Sequence, residues 1–242
     1  MRNLIVWPIL FIGLVLGSTA AAQQQQNIPL VTYGTWELDY VTPPPFTTSY
    51  YASQNDQGYQ PYIRAGFEDE SEPMYWRNYF VLNLTSLSPS DPISSFTMQL
   101  TDAAFTGGTP ASNPYYLWST TSTLSTLQGS GTDASIAESL EGGTLFGQTS
   151  SSSAEIGPAE YNITVTGDAA FLSFLNANLG SDVLIAGSQD TMNNPDGYFE
   201  DTSPTFTVTT VPEPSASALL LPAIAAGVLL FPRIRRRCAS PQ

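Results

Sequence analysis

Hydrophobic and polar residues alternate over short runs along the middle of this chain, and Gly, Pro, Asn, Asp and Ser separate the runs. A period of two is the pattern of a β-strand with one buried face. In the clearest run, Phe80, Leu82 and Leu84 share one face, and residues 96–100 repeat the arrangement after a turn at 88–92. These two runs are therefore predicted to form neighbouring strands.

The same pattern predicts six further strands. They are residues 35–41, 59–65, 115–119, 161–165, 183–186 and 205–210. Eight short strands separated by turn residues indicate an all-β domain, a jelly-roll-like two-sheet sandwich.

Two short helices are predicted to interrupt the strands. Asp168 is a suitable N-cap for a segment whose apolar residues recur every four positions, and Gly180 is suited to the left-handed position after it. The recurring residues are Phe171, Leu175 and Leu179. A second helix is predicted over residues 133–141, with Gly142 and Gly143 ending it.

The N-terminal residues 1–22 have the features of a secretory signal peptide. Arg2 supplies a positive charge, residues 4–16 are apolar, and Ala20 and Ala22 form a small-residue cleavage site. We expect secretion machinery to export the chain and signal peptidase to cut after Ala22. An uncleaved N-terminal anchor is the alternative.

The C-terminal residues 211–237 have three consecutive parts. Val211-Pro212-Glu213-Pro214 is predicted to be extended and accessible to a processing enzyme, because proline lacks an amide hydrogen and restricts the residue before it. Residues 215–231 are apolar and would span roughly 26 Å as a helix, close to the ~30 Å apolar layer of a membrane. The basic residues behind this segment predict that its end stays in the cytoplasm. They are Arg233, Arg235, Arg236 and Arg237.

This tail resembles the PEP-CTERM sorting signal of Gram-negative bacteria, with Pro212-Glu213-Pro214 as the signature. The resemblance implies recognition by an exosortase, a membrane cysteine transpeptidase that cuts near the signature, and an association with exopolysaccharide systems. The extension 238–242 and Pro222 inside the apolar segment depart from the pattern. The alternative is an ordinary single-span anchor that stays intact.

The middle of the chain also resembles the β-sandwich ectodomain often found in front of PEP-CTERM tails. The residues that carry this resemblance are Arg77-Asn78-Tyr79-Phe80, residues 140–147 as a loop, and residues 171–186 as a helix followed by a strand. The resemblance implies a fold and no activity.

The predicted organisation has a domain between two processed ends. Residues 23–30 are predicted to be a polar, disordered linker, residues 31–210 the ectodomain and residues 238–242 a cytoplasmic extension. Within the ectodomain, residues 144–158 include four consecutive serines and are predicted to be a flexible surface loop.

Charge and composition exclude several classes of function. Between residues 23 and 214, Arg64 and Arg77 are the only basic residues against all 21 acidic ones, a net charge of −19 that repels nucleic acid. The chain has no histidine or lysine, and its one cysteine, Cys238, follows the apolar segment. The exported part therefore forms no internal disulfide and lacks the residues of a catalytic triad or a zinc site, and we expect no catalytic residues.

Carboxylates remain as candidate ligands and catalysts. Two oxygen-rich groups have the chemistry that Ca²⁺ requires, which makes a structural calcium ion the one cofactor to consider. They are Glu68, Asp69, Glu70 and Glu72, and Asp190, Asn193, Asn194 and Asp196 before Gly197. The alternatives are solvated loops, or two carboxylates of a glycoside hydrolase.

Four tyrosines in a polar stretch give a second hypothesis. Tyr50, Tyr51, Tyr59 and Tyr62 are interspersed with Ser, Gln and Asn. On an exposed loop such rings would stack on sugars, whereas burial at a sheet edge explains them equally.

Together these features predict a non-enzymatic protein that crosses the inner membrane, passes through an intermediate anchored by its C-terminal helix, and ends at the cell surface or in the extracellular matrix. Its expected partners are the exosortase and extracellular polysaccharide. A carbohydrate-binding module and a carboxylate-dependent glycoside hydrolase are the alternatives.

Overall fold

The computed structural model describes residues 23–39, 47–52, 63–68, 74–106, 114–129, 134–149, 154–157, 160–189, 197–201 and 204–211. Residues 24–210 form one compact unit, which contains every described strand and helix. The predicted signal peptide (1–22) and the segment 212–242 lie outside the described residues.

The described residues form thirteen strands and three short helices. The strands are β1 (Gln24–Asn27), β2 (Leu30–Asp39), β3 (Thr47–Ala52), β4 (Ile63–Glu68), β5 (Met74–Asn83), β6 (Ile93–Thr106), β7 (Tyr115–Ser119), β8 (Leu145–Thr149), β9 (Ala154–Gly157), β10 (Glu160–Gly167), β11 (Asp182–Gln189), β12 (Gly197–Asp201) and β13 (Thr205–Thr210). The helices are α1 (Leu124–Leu127), α2 (Ala134–Glu138) and α3 (Ala169–Ala177).

All the described strand pairings are antiparallel, and they join the strands into one sheet. Along the sheet the order is β1-β13-β6-β12-β4-β5-β11-β7-β8-β10-β9, with β2 and β3 attached beside β5. Because β10 pairs with both β8 and β6, the sheet curls back on itself. The predicted all-β class is confirmed.

The main core lies where the curled sheet faces itself. Phe80 on β5 contacts Phe206 on β13, with ring centroids 5.3 Å apart, although the two strands do not pair. Phe96 on β6 packs edge-on against Phe171 of α3 at 4.5 Å. The alternating apolar residues of β5, β6 and β13 therefore meet in one interior that α3 adjoins.

The prediction that β5 and β6 are neighbours in the sheet is wrong. One edge of β5 is occupied by β2, and the other by β4 and β11, so no edge remains for β6. Between the two strands, the backbone of Leu84 bonds to Ser181 and Gly180, and the side chain of Leu87 is buried. The chain therefore crosses to the facing part of the sheet instead of turning back beside β5.

Strand prediction succeeded where hydrophobic alternation was clear. The bounds of β7 and β13 are those predicted, and the other six predictions fall on β2, β4, β5, β6, β10 and β11. Residues 40–41 and 59–62 of those predictions lie outside the described residues. Five strands were not predicted, namely β1, β3, β8, β9 and β12.

Two predictions of irregular structure are wrong. Residues 23–30 are not a disordered linker, since β1 pairs along its whole length with β13 and moves the start of the domain from 31 to 24. Likewise β8 and β9 lie within residues 144–158, and both pair with β10. Backbone hydrogen bonds to partner strands order these segments, which have little hydrophobic alternation of their own.

Helix α3 is confirmed with its N-cap, whereas its C-cap is Asn178. The Asp168 carboxylate accepts a hydrogen bond from the Phe171 amide at 2.8 Å, and Gly180 has a φ of +81°. Phe171 and Leu175 are fully buried, whereas Leu179 follows the helix end and is partly buried. Helix α2 is shorter than predicted, and α1 was not predicted.

Helices α1 and α2 cover the outer face of the sheet at β2, β5 and β11. A second apolar cluster lies there, in which the Trp36 indole donates to the Leu127 carbonyl at 3.1 Å. Arg77 donates to the Ala137 carbonyl at 3.0 Å and forms an ion pair with Glu141 at 2.7 Å. Arg77, one of two basic residues between residues 23 and 214, thus attaches α2 to the sheet.

Candidate functional site

The described residues end directly before the predicted sorting signature. Val211 is described and partly buried. The other residues predicted to direct processing and topology lie outside the described residues. They are Ala20, Ala22, Pro212, Glu213, Pro214, Arg233, Arg235, Arg236 and Arg237.

The predicted calcium ligands fall almost entirely outside the described residues. Glu68 is the last residue of β4. The remaining predicted ligands, Asp69, Glu70, Glu72, Asp190, Asn193, Asn194 and Asp196, are outside. Within the described ranges, no three acidic, cysteine or histidine side chains come together as a metal site.

Two of the four tyrosines in the sugar-stacking hypothesis are among the described residues, and two are not. Tyr50 and Tyr51 belong to β3, which pairs with β2, while Tyr59 and Tyr62 lie outside the described residues. The hypothesis stays a prediction.

The first and last strands of the domain form an antiparallel pair. Gln24 faces Thr210 and Asn27 faces Thr207. The Ile28 amide continues the pairing by donating to the Phe206 carbonyl at 2.8 Å. The residues next to the two predicted processing sites, one after Ala22 and one at Val211, are therefore held together within the domain.

A buried polar cluster occupies the inner face of the sheet near β2, β5 and β7. The Asn78 side chain donates to Thr35 Oγ1 at 3.1 Å and accepts from the Tyr115 hydroxyl at 3.0 Å. The Trp76 indole donates to the Glu37 carboxylate at 2.9 Å. Since Asn78 is fully buried, these bonds offset the cost of removing it from water and fix the register of the three strands.

Glycine makes room for this cluster. Gly187 lies opposite Asn78 on β11, and a Cβ atom there would collide with the Tyr115 hydroxyl group. A side chain at this position would therefore block the bond between Tyr115 and Asn78. Sequence reasoning missed the cluster, because neither Gly187 nor the strand pairing has a local signature.

The described cluster contains one carboxylate, that of Glu37. Glycoside hydrolysis by two carboxylates requires both within a defined separation. Among the acids whose side chains the structure describes, Glu37 is the one that is buried, and it already accepts a hydrogen bond from Trp76. The cluster is explained by its contribution to packing specificity.

Strands β1, β13, β6, β10 and β8 have an outer face whose composition differs from that of the buried polar cluster. One row of directly paired residues crosses five strands, with Asn27, Thr207, Thr97, Thr166 and Gln148, and then continues to Tyr116 on β7. Residues paired in this way project from the same face. Every member of this row is uncharged and polar, and each is exposed or half-buried.

Adjacent rows repeat the composition. We call the whole set the neutral face, and it consists of Gln25, Asn27, Ser95, Thr97, Gln99, Thr101, Gln148, Asn162, Thr164, Thr166, Thr205, Thr207 and Thr209. None of these residues is charged, aromatic or aliphatic. The intervening residues, such as Phe96, Met98 and Val165, point into the core.

The neutral face contains a depression at a β-bulge. The pairing of β10 with β6 shifts register between Tyr161 and Ile163. Beside this shift lies a cavity of about 150 Å³ lined by Gln99, Leu100, Thr101, Asn162, Ile163 and Thr164. A bulge of this kind redirects side chains and is common next to binding sites.

The chain matches no protein-family model, and no curated protein is significantly similar to it in sequence. Among the described residues, no helix has the length and apolar character needed to cross a membrane. The predicted span, 215–231, lies outside them.

Proposed function

We propose that this chain is an exported, exosortase-sorted protein of the cell surface or extracellular matrix, without enzymatic activity. The tail carries the proposal, because Pro212-Glu213-Pro214, the apolar segment 215–231 and the arginines behind it follow one another without interruption. The PEP-CTERM signal that this tail resembles implies a membrane-anchored intermediate that an exosortase processes.

The end of the domain supports a cut at the signature. Strand β13 ends at Thr210, and its residues pair with both β6 and β1. Cleavage at residues 211–214 would remove no strand. The released domain would therefore keep its complete sheet.

The start of the domain supports removal of the signal peptide in the same way. Strand β1 begins at Gln24, two residues after Ala22. Removing residues 1–22 would leave the pairing of β1 with β13 intact. Both proposed cuts thus fall at the limits of the compact unit 24–210.

The partners follow from this route. The secretion machinery and signal peptidase act first, the inner membrane holds the chain by residues 215–231, and the exosortase acts last. The acidic composition supports an extracellular role, since a charge of −19 between residues 23 and 214 keeps the domain apart from nucleic acid and anionic lipid surfaces.

We also propose that the curled sheet is a jelly-roll-like two-sheet sandwich. The contact between Phe80 and Phe206 supports two layers, because it joins strands that share no hydrogen bonds. One layer would contain β2, β5, β11 and β7, and the facing layer β1, β13, β6 and β10. Strands β8, β4 and β12 would connect the layers at their edges.

The sorting proposal is tested in cells that have the matching exosortase. Wild-type chain should yield a product that lacks residues 215–242, with its C-terminus near the signature as found by intact-mass measurement. Glu213→Ala, or loss of the exosortase, should leave a full-length form in the membrane fraction. Glu138→Ala, which changes an exposed acid on α2, is the matched control and should be processed normally.

If wild-type protein remains full length in the membrane fraction of those cells, the sorting proposal is wrong. The tail would then be a permanent single-span anchor.

A further inference from the structure

We propose that the neutral face binds a neutral, hydroxyl-rich polysaccharide. The proposal rests on the proposed function, which places the domain outside the cell, and it adds the chemical class of the partner and the surface that binds it.

The first argument is the contrast in charge. The segment between residues 23 and 214 has a net charge of −19, yet no residue of the neutral face is charged. Charge complementarity favours an uncharged ligand here, because an anionic polymer would be repelled by the rest of the domain.

The second argument is hydrogen-bonding capacity. Each Ser or Thr hydroxyl donates one hydrogen bond and accepts others, and each Asn or Gln amide has a separate donor and acceptor. Sugar hydroxyls have the same dual capacity, so a sugar can bond at many positions without a particular charge pattern. Within the face, a hydroxyl group already bonds to a side-chain amide, since the Thr207 hydroxyl donates to the Asn27 side chain at 3.1 Å.

The third argument is regular spacing. Side chains on paired strands are about 4.8 Å apart across the sheet, and alternate residues along a strand are about 6.6 Å apart. Thr205, Gln99 and Thr164 form one cross-strand row beside that of Thr207, Thr97 and Thr166. Such an array presents the same groups repeatedly to a ligand that is itself a repeat.

The fourth argument is the depression at the bulge. Its volume of about 150 Å³ is below the ~300–1,000 Å³ of a site that encloses a small molecule. It therefore suits one projecting group of an extended chain that lies across the face. Gln99, Thr101, Asn162 and Thr164 supply amide and hydroxyl groups around it.

A protein partner fits the face less well. Protein interfaces concentrate binding energy in buried aromatic and arginine side chains, and the neutral face has neither, although Tyr116 on β7 continues one of its rows. Individual hydrogen bonds that replace water contribute only about 0.5–1.5 kcal/mol each, so a single sugar should bind weakly. A polymer that engages several rows at once gains avidity.

The test uses the protein as cells release it, or the full-length form in detergent if it stays in the membrane. Its migration is measured in native gels that contain dextran, hydroxyethyl cellulose or anionic alginate. At least one neutral polymer should retard the wild type, alginate should not, and free glucose should not reverse the retardation.

The variant Thr97→Val, Thr164→Val, Thr166→Val removes three hydroxyl groups from the neutral face and preserves side-chain shape. Affinity for the neutral polymer should fall about tenfold or more with no loss of melting temperature. The matched control is Thr144→Val, an exposed threonine outside the neutral face, which should bind like wild type. Gln99→Ala, at the depression, should weaken binding on its own.

Several results would overturn the proposal. The proposal is wrong if neither neutral polymer retards the protein, or if alginate retards it more strongly than they do. It is also wrong if the triple variant binds like wild type. If the triple variant instead changes the sedimentation of the protein without polymer, the face joins two copies of the chain. Binding is measured on either form of the protein, so failure here is distinct from failure of sorting, which is read from the C-terminal mass.

Discussion

Gln24 and Thr210 are direct antiparallel partners, so the first strand of the domain runs beside the last. Each lies within a few residues of a predicted processing site, Ala22 on one side and Val211 on the other. The sheet itself therefore joins the two ends that export and sorting would create, and the polar segment Gln24–Asn27 is part of the fold.

Two truncations test the contribution of β1. A chain of residues 23–211 should unfold at the same temperature as residues 1–211, whereas residues 29–211 should unfold about 4 °C or more lower. The shorter chain loses the ladder between β1 and β13 and the Ile28 side chain, which is 4% exposed, together about 2 kcal/mol or more. Equal melting temperatures by calorimetry for all three chains would show that β1 is peripheral.

Adjacent glycines after α2 should respond differently to alanine. A Cβ atom at Gly143 would collide with the Ser119 carbonyl oxygen, whereas at Gly142 the nearest atom would be 3.6 Å away. We expect Gly143→Ala to lower the free energy of unfolding by about 1–3 kcal/mol and Gly142→Ala to change it little. Urea denaturation measures both. Equal effects would contradict the packing of β7 against the segment before β8.

Arg77 should contribute more to stability than its ion-pair partner. Arg77→Gln removes both the bond to the Ala137 carbonyl and the ion pair with Glu141, whereas Glu141→Gln leaves the bond to Ala137. We expect losses of about 1.5–3 kcal/mol for the first and about 1 kcal/mol or less for the second. Urea denaturation in low and high salt distinguishes them, because salt should reduce the contribution of the ion pair alone. A larger loss for Glu141→Gln would refute this order.

Calcium should stabilise the domain if the acidic segments bind it. Glu68 at the end of β4 and the following acids form one predicted ligand group, and Asp190 to Asp196 the other. At a hundredfold excess over Kd, one site stabilises the native state by about 2.7 kcal/mol, which raises the melting temperature measurably. Magnesium is the control and should act less, since it requires a tighter octahedral shell. The same small rise with both ions would indicate screening of a highly acidic chain.

Local pattern was sufficient to predict elements whose own residues alternate. Strands β7 and β13 were predicted at their observed bounds because apolar side chains point inward at every second position. Helix α3 was predictable because Asp168 caps its start and its apolar residues recur every four positions. In each case one short segment carries the whole signal.

Pairing between distant segments was not predictable in this way. The sequence of β1, Gln-Gln-Gln-Asn, has no apolar residue, and it is a strand only because β13 offers hydrogen bonds. The contact between Tyr115 and Asn78 similarly depends on Gly187, on a third strand. The neutral face escaped prediction because its rows exist only once the strand register is known. Strands β5 and β6 were wrongly predicted to be neighbours for the same reason.

The pairing of β1 with β13 also sets an order in time. A chain that emerges N-terminus first presents β1 at the beginning and its partner at the very end, so the sheet cannot be completed until residue 210 has emerged. Until then the inner faces of β5 and β6, including Phe80 and Phe96, lack the side chain of Phe206 that packs against both. Contacts between segments so far apart in sequence form slowly. On the proposed export route, the sheet would therefore be completed only after the segment next to the sorting signature has emerged.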